Sequence, residues 1–273
     1  MRRAGCRGRT YKPFADPRET AICCRRVAGI MPLNPELSVV LPAYEEAANL
    51  KCLLPRLNAV ARELTPSYEI LVIDAQSPRD ETPAVCGEFA VRYLARTGGS
   101  MYGHAIRTAI REARGTFIII MDADGSHAPE FLPRLWEQRA DADLVIASRY
   151  VAGGRTENPA VLILMSLTVN VLFRLALGLK CRDVSNSFRL YRGQDFRELR
   201  LKCNHFDIVE EMLVKLTTLH PGYCIREVPF CFEKRKAGKT KRNLFTFALG
   251  YGITLVRMMR LRREARKQRA GKV

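Results

Sequence analysis

Four short apolar runs follow one another through the first half of the chain. They cover residues 37–41, 68–73, 116–121 and 142–148, and each stops at a polar or turn-forming residue. Runs that are apolar almost throughout, without alternation, are typical of strands that are covered on both faces. The pattern therefore predicts four buried strands.

Segments long enough for helices separate or follow these runs, at residues 46–64, 81–90, 103–114 and 129–139. The alternation predicts an α/β fold, with a mostly parallel sheet flanked by helices. Ligands of such sheets bind beyond the carboxyl ends of the strands. Residues 42–46, Asp74 and residues 122–124 lie at such ends, so the functional site is expected there.

Two uncharged stretches follow residue 158. The first, residues 159–173, continues past Arg174 to residue 179, and the second covers residues 243–256. Neither contains the roughly 18 uninterrupted apolar residues of a spanning helix, so no such helix is expected. Each is predicted to be either a buried helix or a helix in the membrane interface. A basic flank at 257–272 favours the interface for an amphipathic C-terminal helix, because arginines bind anionic headgroups.

The net charge of +17 changes the picture only through its position. Residues 1–30 carry +6 and residues 234–273 carry +13, whereas the 203 residues between them carry −2. The basic runs have no interleaved aromatic residues and no known nucleic-acid-binding signature, so no specific nucleic acid partner is expected. The nine cysteines form no zinc-binding cluster and are interpreted as reduced thiols of a cytoplasmic protein.

These features divide the chain into three parts. Residues 1–35 are either a basic flexible arm or a misassigned start before Met31, and they lack the apolar segment of a secretory signal. Residues 36–245 form the α/β domain, and residues 246–273 form the amphipathic helix and basic tail.

Asp122-Ala123-Asp124 is the strongest candidate for metal chemistry. Mg²⁺ and Mn²⁺ bind through one or two carboxylates together with substrate phosphates, and the ion neutralises charge on a diphosphate leaving group. Two aspartates in a loop are also common turn formers or helix caps. Here they follow a predicted buried strand and precede a helix near Pro129, which favours the metal site.

Several motifs occur in the order found in a known family. Residues 41–50, LPAYEEAANL, resemble the P-x-Y-N-E-x-x-N-L opening of family 2 glycosyltransferases with the GT-A fold. Residues 183–191, DVSNSFRLY, resemble the D-x-T-G-S-F-R-L-Y segment of dolichol-phosphate mannosyltransferases. The other matching segments are 73–74, 121–130, 147–150, 211–212, 227–229 and 235–241. The resemblance covers about residues 36–245.

The resemblance implies a reaction. A sugar, mannose or glucose, would move with inversion from a GDP- or UDP-linked donor to a polyprenyl (dolichyl) phosphate. The acceptor phosphate is already an anionic nucleophile, so catalysis would be positioning and electrostatic stabilisation with Mg²⁺ or Mn²⁺ bound. The enzyme would lie peripherally on the cytoplasmic face of a membrane with an anionic surface, alone or with a small membrane subunit.

The resemblance also implies roles for individual residues. Pro42, Tyr44, Glu46 and Asp74 would bind the nucleoside; Asp122, Ala123, Asp124 and Ser126 the diphosphate and metal; Arg149, Ser166 and Arg235 the acceptor phosphate. The predicted catalytic set is Asp122, Asp124, Arg149, Ser166 and Arg235, with Arg235 also near the donor phosphates. His127 is interpreted as a turn or supporting residue rather than a ligand.

The chain departs from the family pattern at a few positions. Residues 75–76 are Ala-Gln where the family has Asp-Gly, Leu162 replaces an arginine, and residues 185–186 are Ser-Asn instead of Thr-Gly. The identity of the donor is therefore open. Two alternatives stay beside the main prediction: the same fold acting on a saccharide or protein acceptor, and a catalytically silent nucleotide-sugar-binding homologue.

Overall fold

The fold was analysed in a computed structural model, which describes residues 34–89, 91–233 and 244–270. The strands are β1 (Leu37–Pro42), β2 (Tyr68–Asp74), β3 (Arg92–Ala95), β4 (Phe117–Ile120), β5 (Leu144–Ser148), β6 (Arg155–Thr156), β7 (Arg189–Arg192), β8 (Ile225–Pro229) and β9 (Cys231–Phe232). The helices are α1 (Ala47–Leu64), α2 (Thr82–Glu88), α3 (Tyr102–Glu112), α4 (Leu132–Glu137), α5 (Ala160–Leu177), α6 (Gly193–Glu198), α7 (Ile208–Leu219) and α8 (Leu244–Ala270).

Within the described residues, one sheet contains seven strands in the order β3-β2-β1-β4-β7-β5-β8. The pairs among β1 to β4 are parallel, and so is the pair β5 and β8. Strand β7 is antiparallel to both β4 and β5, between which it lies. The prediction of a mostly parallel sheet flanked by helices is confirmed, with β7 as the reversed strand.

The four predicted strands are present, with small changes at their ends. The last two are shorter than expected, at Phe117–Ile120 and Leu144–Ser148. The region predicted as helix 129–139 begins as a 3-10 turn at Pro129–Phe131 before α4. Strand β3 was missed, because its four residues include a charged arginine and none of them is buried.

The sheet has a hydrophobic core on each face. On one side Val40, Ile118 and Ile120 pack with residues of α3 and α7. On the other side Val39 and Leu41 pack with residues of α1 and α4. Neighbouring residues of β1 are thus buried on opposite faces, which is why its sequence is apolar without alternation.

Helix α5 corrects one expectation. Among the described residues it is the one helix long and apolar enough to cross a membrane, by length and composition alone. The sequence predicts no spanning helix here, because Arg174 interrupts the apolar stretch. In the structure this arginine is in the last turn of α5, where a long side chain reaches a polar surface. Half of its residues are exposed and only Asn170, Phe173 and Leu177 are buried; Leu164 and Leu175 are 67% and 72% exposed.

The predicted C-terminal helix is present as α8. Thr254 and Met258, one turn apart, are buried against the body, whereas Ile253 and Val256 are exposed. The basic residues of the helix follow this apolar part. Of the arm predicted at 1–35, residues 1–33 lie outside the described residues, and so does the basic run at 234–242 that contains Arg235.

Candidate active site

The carboxyl ends of β1, β2 and β4 meet at one edge of the sheet. Pro42, the last residue of β1, is paired with Ile73 of β2, and Val40 is paired with Ile120 of β4. The backbone of Met121 donates to the carbonyl of Val40, so the chain enters the Asp122 loop directly beside β1. The predicted nucleoside and metal residues are therefore brought together at this edge.

The predicted nucleoside residues lie on the β1 and β2 sides of the site. Asp74 is fully buried and accepts hydrogen bonds from the Ala75 amide at 2.7 Å and the Tyr93 hydroxyl at 3.3 Å. Burial raises the pKa of Asp74 above its usual value. Glu46 is buried at the start of α1 and accepts from Asn49 Nδ2 at 2.5 Å, and Tyr44 is half-buried.

Asp80 is a neighbouring carboxylate that the sequence prediction did not include. Its two oxygens accept from the Ala47 amide at 2.8 Å and the Thr82 amide at 3.0 Å. Burial opposes its ionisation, but these hydrogen bonds outweigh burial and lower its pKa. Asp80 therefore holds the start of α1 against the loop after β2.

Arg96 was also missed, because it follows the unpredicted strand β3. Its buried guanidinium donates to the carbonyl oxygens of Ala43 and Ser100, and its amide donates to the Asp74 carbonyl at 3.0 Å. Burial lowers the pKa of Arg96, while the charge of Asp74 raises it. A positive charge is thus held between the ends of β1, β2 and β3.

The metal-binding prediction rests on the loop after β4. Asp124 Oδ1 accepts from the Ser126 amide at 3.0 Å and the Ser126 hydroxyl at 2.6 Å. Gly125 turns the chain with a φ of 80°, a conformation that favours glycine. Ala123 and Ser126 are buried. Ser126 lies beside Asp124 as expected, where its hydroxyl orients the carboxylate.

His127 supports this loop from inside the protein. It is fully buried and stacked on Phe188 at 4.7 Å, and its Nδ1 accepts from the Asp122 amide at 2.9 Å. Burial lowers its pKa. Because Nδ1 accepts a hydrogen bond, the ring proton is on Nε2, 3.8 Å from Asp122 Oδ2. These contacts agree with its interpretation as a supporting residue.

The donor set of the loop fits a hard divalent cation. Asp122 and Asp124 would supply oxygen ligands, and the described residues hold no group of three or more His, Cys, Asp or Glu that could hold a metal ion. A site of two carboxylates leaves coordination positions for substrate phosphates, which is how Mg²⁺ is commonly bound.

The predicted acceptor residues form a second cluster. Arg149 donates through Nε and Nη2 to the two oxygens of Asp183, both at 2.8 Å, and through Nη2 to Ser185 at 2.8 Å and Ser166 at 3.4 Å. The Arg149 side chain is only 9% exposed. Arg149 and Ser166 are together as expected, but the guanidinium already has a carboxylate partner. Arg235 lies outside the described residues.

Asp183, Ser185 and Asn170 are site residues to which the sequence analysis gave no role. Asn170 accepts from the Val184 amide at 2.6 Å and donates to the Ser166 carbonyl at 2.8 Å, so α5 is fastened to the segment that carries Asp183. The resemblance of residues 183–191 to a family segment was the available signal.

Glu227, on β8, accepts hydrogen bonds from the same segment and fixes its position. Its Oε1 accepts from the Ser148 hydroxyl at 2.8 Å and the Asp183 amide at 2.9 Å, and its Oε2 accepts from the Arg182 amide at 2.7 Å. The position of Asp183, and through it that of Arg149, therefore depends on β8.

Comparisons with known proteins identify relatives of this chain. It is 32% identical over 214 residues to the dolichol-phosphate mannosyltransferase of Pyrococcus furiosus, covering 76% of this chain and 59% of that protein. It is 33% identical over 223 residues to the polyprenol monophosphomannose synthase of Mycolicibacterium smegmatis, covering 74% and 79%. The chain thus spans less than two thirds of the Pyrococcus protein and about four fifths of the other.

A solved structure supports the fold. Glucosyl-3-phosphoglycerate synthase from Mycobacterium tuberculosis, in complex with Mn²⁺, UDP and phosphoglyceric acid, superposes with a TM-score of 0.64 at 17% identity, covering 82% of this chain and 78% of that one. The fold is accordingly GT-A. The profile of glycosyl transferase family 2 matches residues 38–200. This chain belongs to glycosyl transferase family 2.

Proposed function

We propose that the chain transfers a sugar from a nucleotide diphosphate sugar to a polyprenyl phosphate at a membrane surface, with Mg²⁺ or Mn²⁺ bound. The relatives named as polyprenyl-phosphate mannosyltransferases favour this acceptor and favour mannose as the sugar. GDP- and UDP-linked donors are both compatible with the described site.

The two different faces of α5 are the main structural argument for a polyprenyl phosphate acceptor. On one face Ser166 and Asn170 reach the Arg149 and Asp183 cluster. On the other face Val161, Leu164, Leu167, Val171, Leu172 and Leu175 are exposed. A ligand that joins a phosphate to a long apolar chain matches this combination, whereas a saccharide offers no apolar part of that length.

Each group of site residues would have its own role in this reaction. Asp122 and Asp124 hold the cation, which when bound offsets the negative charge of the diphosphate leaving group. Arg149, kept in place by Asp183, orients the acceptor phosphate with the donor hydrogens that Asp183 does not use. The phosphate oxygen attacks the anomeric carbon from the side opposite the diphosphate, and the C–O bond to the diphosphate breaks. No proton needs to be removed from the nucleophile.

Two surfaces of the described residues support the proposed binding to a membrane. The exposed face of α5 offers apolar area. A groove of about 810 Å³ beside α8 joins exposed Ile253 and Val256 to Lys202, Lys215, Arg257 and Arg260. These four basic residues outnumber Glu211 and Glu264 in its lining, which favours anionic headgroups. We place the protein peripherally on the cytoplasmic face. A small membrane subunit covering α5 is the alternative.

The direct test is a panel of GDP- and UDP-sugars incubated with polyprenyl phosphate and Mn²⁺ or Mg²⁺, with products separated by lipid extraction. We expect a lipid-linked sugar that disappears when EDTA is added. A product that stays in the aqueous phase with saccharide or small phosphate acceptors, and none with polyprenyl phosphate, would contradict the proposed acceptor.

Asp124→Asn should lower turnover at least about 100-fold, because one metal ligand loses its charge. Asp141→Asn is the matched control, since this exposed aspartate precedes the amino end of β5, at the opposite edge of the sheet. Full turnover of Asp124→Asn would refute the metal role. A wild-type protein whose melting temperature rises with nucleotide and Mn²⁺, but which forms no product, would indicate a silent homologue.

A further inference from the structure

Tyr102 is a residue of the site region that the reaction described above does not use. It begins α3, and its ring is stacked on Phe206 with centroids 4.3 Å apart and an angle of 17° between the planes. The hydroxyl is buried and has no hydrogen-bond partner of normal geometry among the described residues. Buried hydroxyl groups normally have a partner, so this one needs an explanation.

The Tyr102 hydroxyl lies near Asp122 and Ser187, and also near Tyr191 and Arg189. Burial and then the charge of Asp122 raise the pKa of Tyr102 well above its usual value. Ser187 Oγ itself donates to Asp122 Oδ1 at 3.1 Å. Ser187 therefore neighbours both the Tyr102 hydroxyl and a proposed metal ligand, so the three side chains lie in a row.

The direction of the hydrogen bonds in this row is determined by chemistry. The ionised carboxylate of Asp122 only accepts, so Ser187 gives its one proton to Asp122. The lone pairs of the serine oxygen are then free to accept from the Tyr102 hydroxyl. When the Tyr102 hydroxyl donates to Ser187 Oγ, the Ser187 O–H group becomes more polarised. The hydrogen bond from Ser187 to Asp122 is then stronger.

The protein holds the Tyr102 end of the row rigidly. The Gly103 amide donates to the Asn204 carbonyl at 2.8 Å, and Arg107 donates to the Cys203 carbonyl and to Asn204 Oδ1, both at 2.6 Å. The start of α3 is thus fixed to residues 203–206, which also supply the stacking ring of Phe206. The hydroxyl is fully enclosed, so it acts through Ser187 and not on the ligand itself.

On the basis of the proposed function, we propose that Tyr102 is a positioning residue of the metal site. When a divalent cation binds, the Tyr102 hydroxyl donates a hydrogen bond to Ser187 Oγ. Ser187 in turn donates to Asp122 Oδ1 and so fixes the orientation of the Asp122 carboxylate. Hydrogen-bond partners behind metal ligands commonly orient them and raise metal affinity. Bonds of this kind are often loose in the absence of the ligand and tighten on binding.

The test is Mn²⁺ binding to the purified full-length chain, measured from the EPR signal of free Mn²⁺ with and without UDP or GDP. We expect Tyr102→Phe, which keeps the ring on Phe206, to weaken Mn²⁺ binding by roughly tenfold without lowering the melting temperature. Tyr102→Phe combined with Ser187→Ala should bind no more weakly than Ser187→Ala alone. Tyr223→Phe is the matched control, because that hydroxyl donates to the Asp143 carbonyl at 3.3 Å near the amino end of β5.

Two negative outcomes separate the two proposals. Mn²⁺ binding by wild-type protein with unchanged affinity in Tyr102→Phe would overturn the positioning role and leave the proposed function intact. No Mn²⁺ binding by wild-type protein, with or without nucleotide, would overturn the proposed function and the role of Tyr102 with it. An equal loss in Tyr223→Phe would show a general effect of removing a tyrosine hydroxyl and would also overturn the positioning role.

Discussion

At the scale of single residues, the Arg149 and Asp183 pair illustrates how burial changes the contribution of an ion pair to the stability of the fold. Both side chains are almost inaccessible, and two bonds of 2.8 Å join them. Removing one partner from such a pair leaves an uncompensated buried charge, whereas an exposed pair contributes little. The same pair holds the guanidinium that we assign to the acceptor phosphate, so stability and acceptor binding are coupled here.

Asp183→Asn should therefore lower the free energy of unfolding by about 3 kcal/mol and raise the KM for polyprenyl phosphate more than it lowers kcat. Urea unfolding and acceptor titrations measure the two effects. Glu130→Gln is the control, because Glu130 forms a similar two-bond pair with Arg56 at the surface. Equal losses of stability in both variants would contradict the role given to burial.

Glu210 is the most strongly perturbed carboxyl group near this cluster. It is fully buried, and neither of its oxygens has a hydrogen-bond partner in the part of the chain that the structure describes. Burial raises its pKa to about 8, although Arg189 opposes the rise. Asp207 and Asp183 raise it further. Between pH 4.5 and 8 the folded state therefore keeps a proton that the unfolded state has released. Stability should fall as the pH rises through this window and level off above it.

Glu210→Gln should remove this dependence. The variant should match the wild type near pH 5, where the native carboxyl is protonated, and exceed it by a few kcal/mol near pH 8. Melting curves between pH 5 and 9 measure the difference, with the exposed Glu88→Gln as control. A constant difference between variant and wild type at all pH values would contradict the assignment.

At the scale of elements, the docking of α3 depends on one glycine. A Cβ at Gly103 would lie 2.4 Å from the carbonyl oxygen of Cys203 and 2.8 Å from the Cα of Asn204. Gly103→Ala should lower the free energy of unfolding by about 2 kcal/mol or more, because backbone atoms cannot move aside as a side chain can.

Gly87→Ala in α2 is the matched control, since a Cβ there meets no atom within 4 Å. It should stabilise the protein by about 0.5–1 kcal/mol through helix propensity. Chemical denaturation of both variants checks the pair of predictions. Stabilisation by both substitutions would show that the start of α3 is not closely packed.

The exposed face of α5 makes a second prediction at this scale. Leu175→Glu should weaken binding to phospholipid vesicles about tenfold or more, because a charge replaces apolar area on a surface proposed to enter the interface. Leu175 is 72% exposed, so the melting temperature should change little. Leu219→Glu, at the end of α7 and 53% exposed, is the control in vesicle sedimentation. Equal binding by the two variants would count against α5 as the contact.

At the scale of the whole molecule, the positive charge is concentrated toward the two ends of the sequence. The 203 central residues carry −2 and residues 234–273 carry +13. A nearly neutral body suits the proposed cation and diphosphate site, while the basic C-terminal segment suits the proposed contact with an anionic surface. The charge therefore predicts how the protein binds membranes and says little about its chemistry.

Binding to vesicles that contain anionic lipid should accordingly fall steeply between low and high salt, since exposed charges are screened. Arg257→Gln with Arg260→Gln should weaken binding at low salt and flatten the salt dependence, as measured by sedimentation. Neutral vesicles serve as control. Salt-independent binding by the wild type would contradict the electrostatic contribution.

The sequence by itself determined four of the strands and the candidate residues that follow three of them. Buried parallel strands must be apolar throughout, so β1, β2, β4 and β5 were visible, and motifs of adjacent residues located Asp74, Asp122 and Asp124. The family followed from the order of these motifs. Local patterns carry such information because each feature is complete within about ten residues.

Only the tertiary structure decided what depends on residues distant in the chain. Strand β3 and Arg96 were missed because a short, partly exposed edge strand has no distinctive pattern. The ion pair of Arg149 with Asp183 joins residues 34 positions apart, and the proposed bond of Tyr102 to Ser187 joins residues farther apart still. The exposure of α5 was likewise undetermined, because an apolar helix has the same sequence whether protein or another apolar phase covers it.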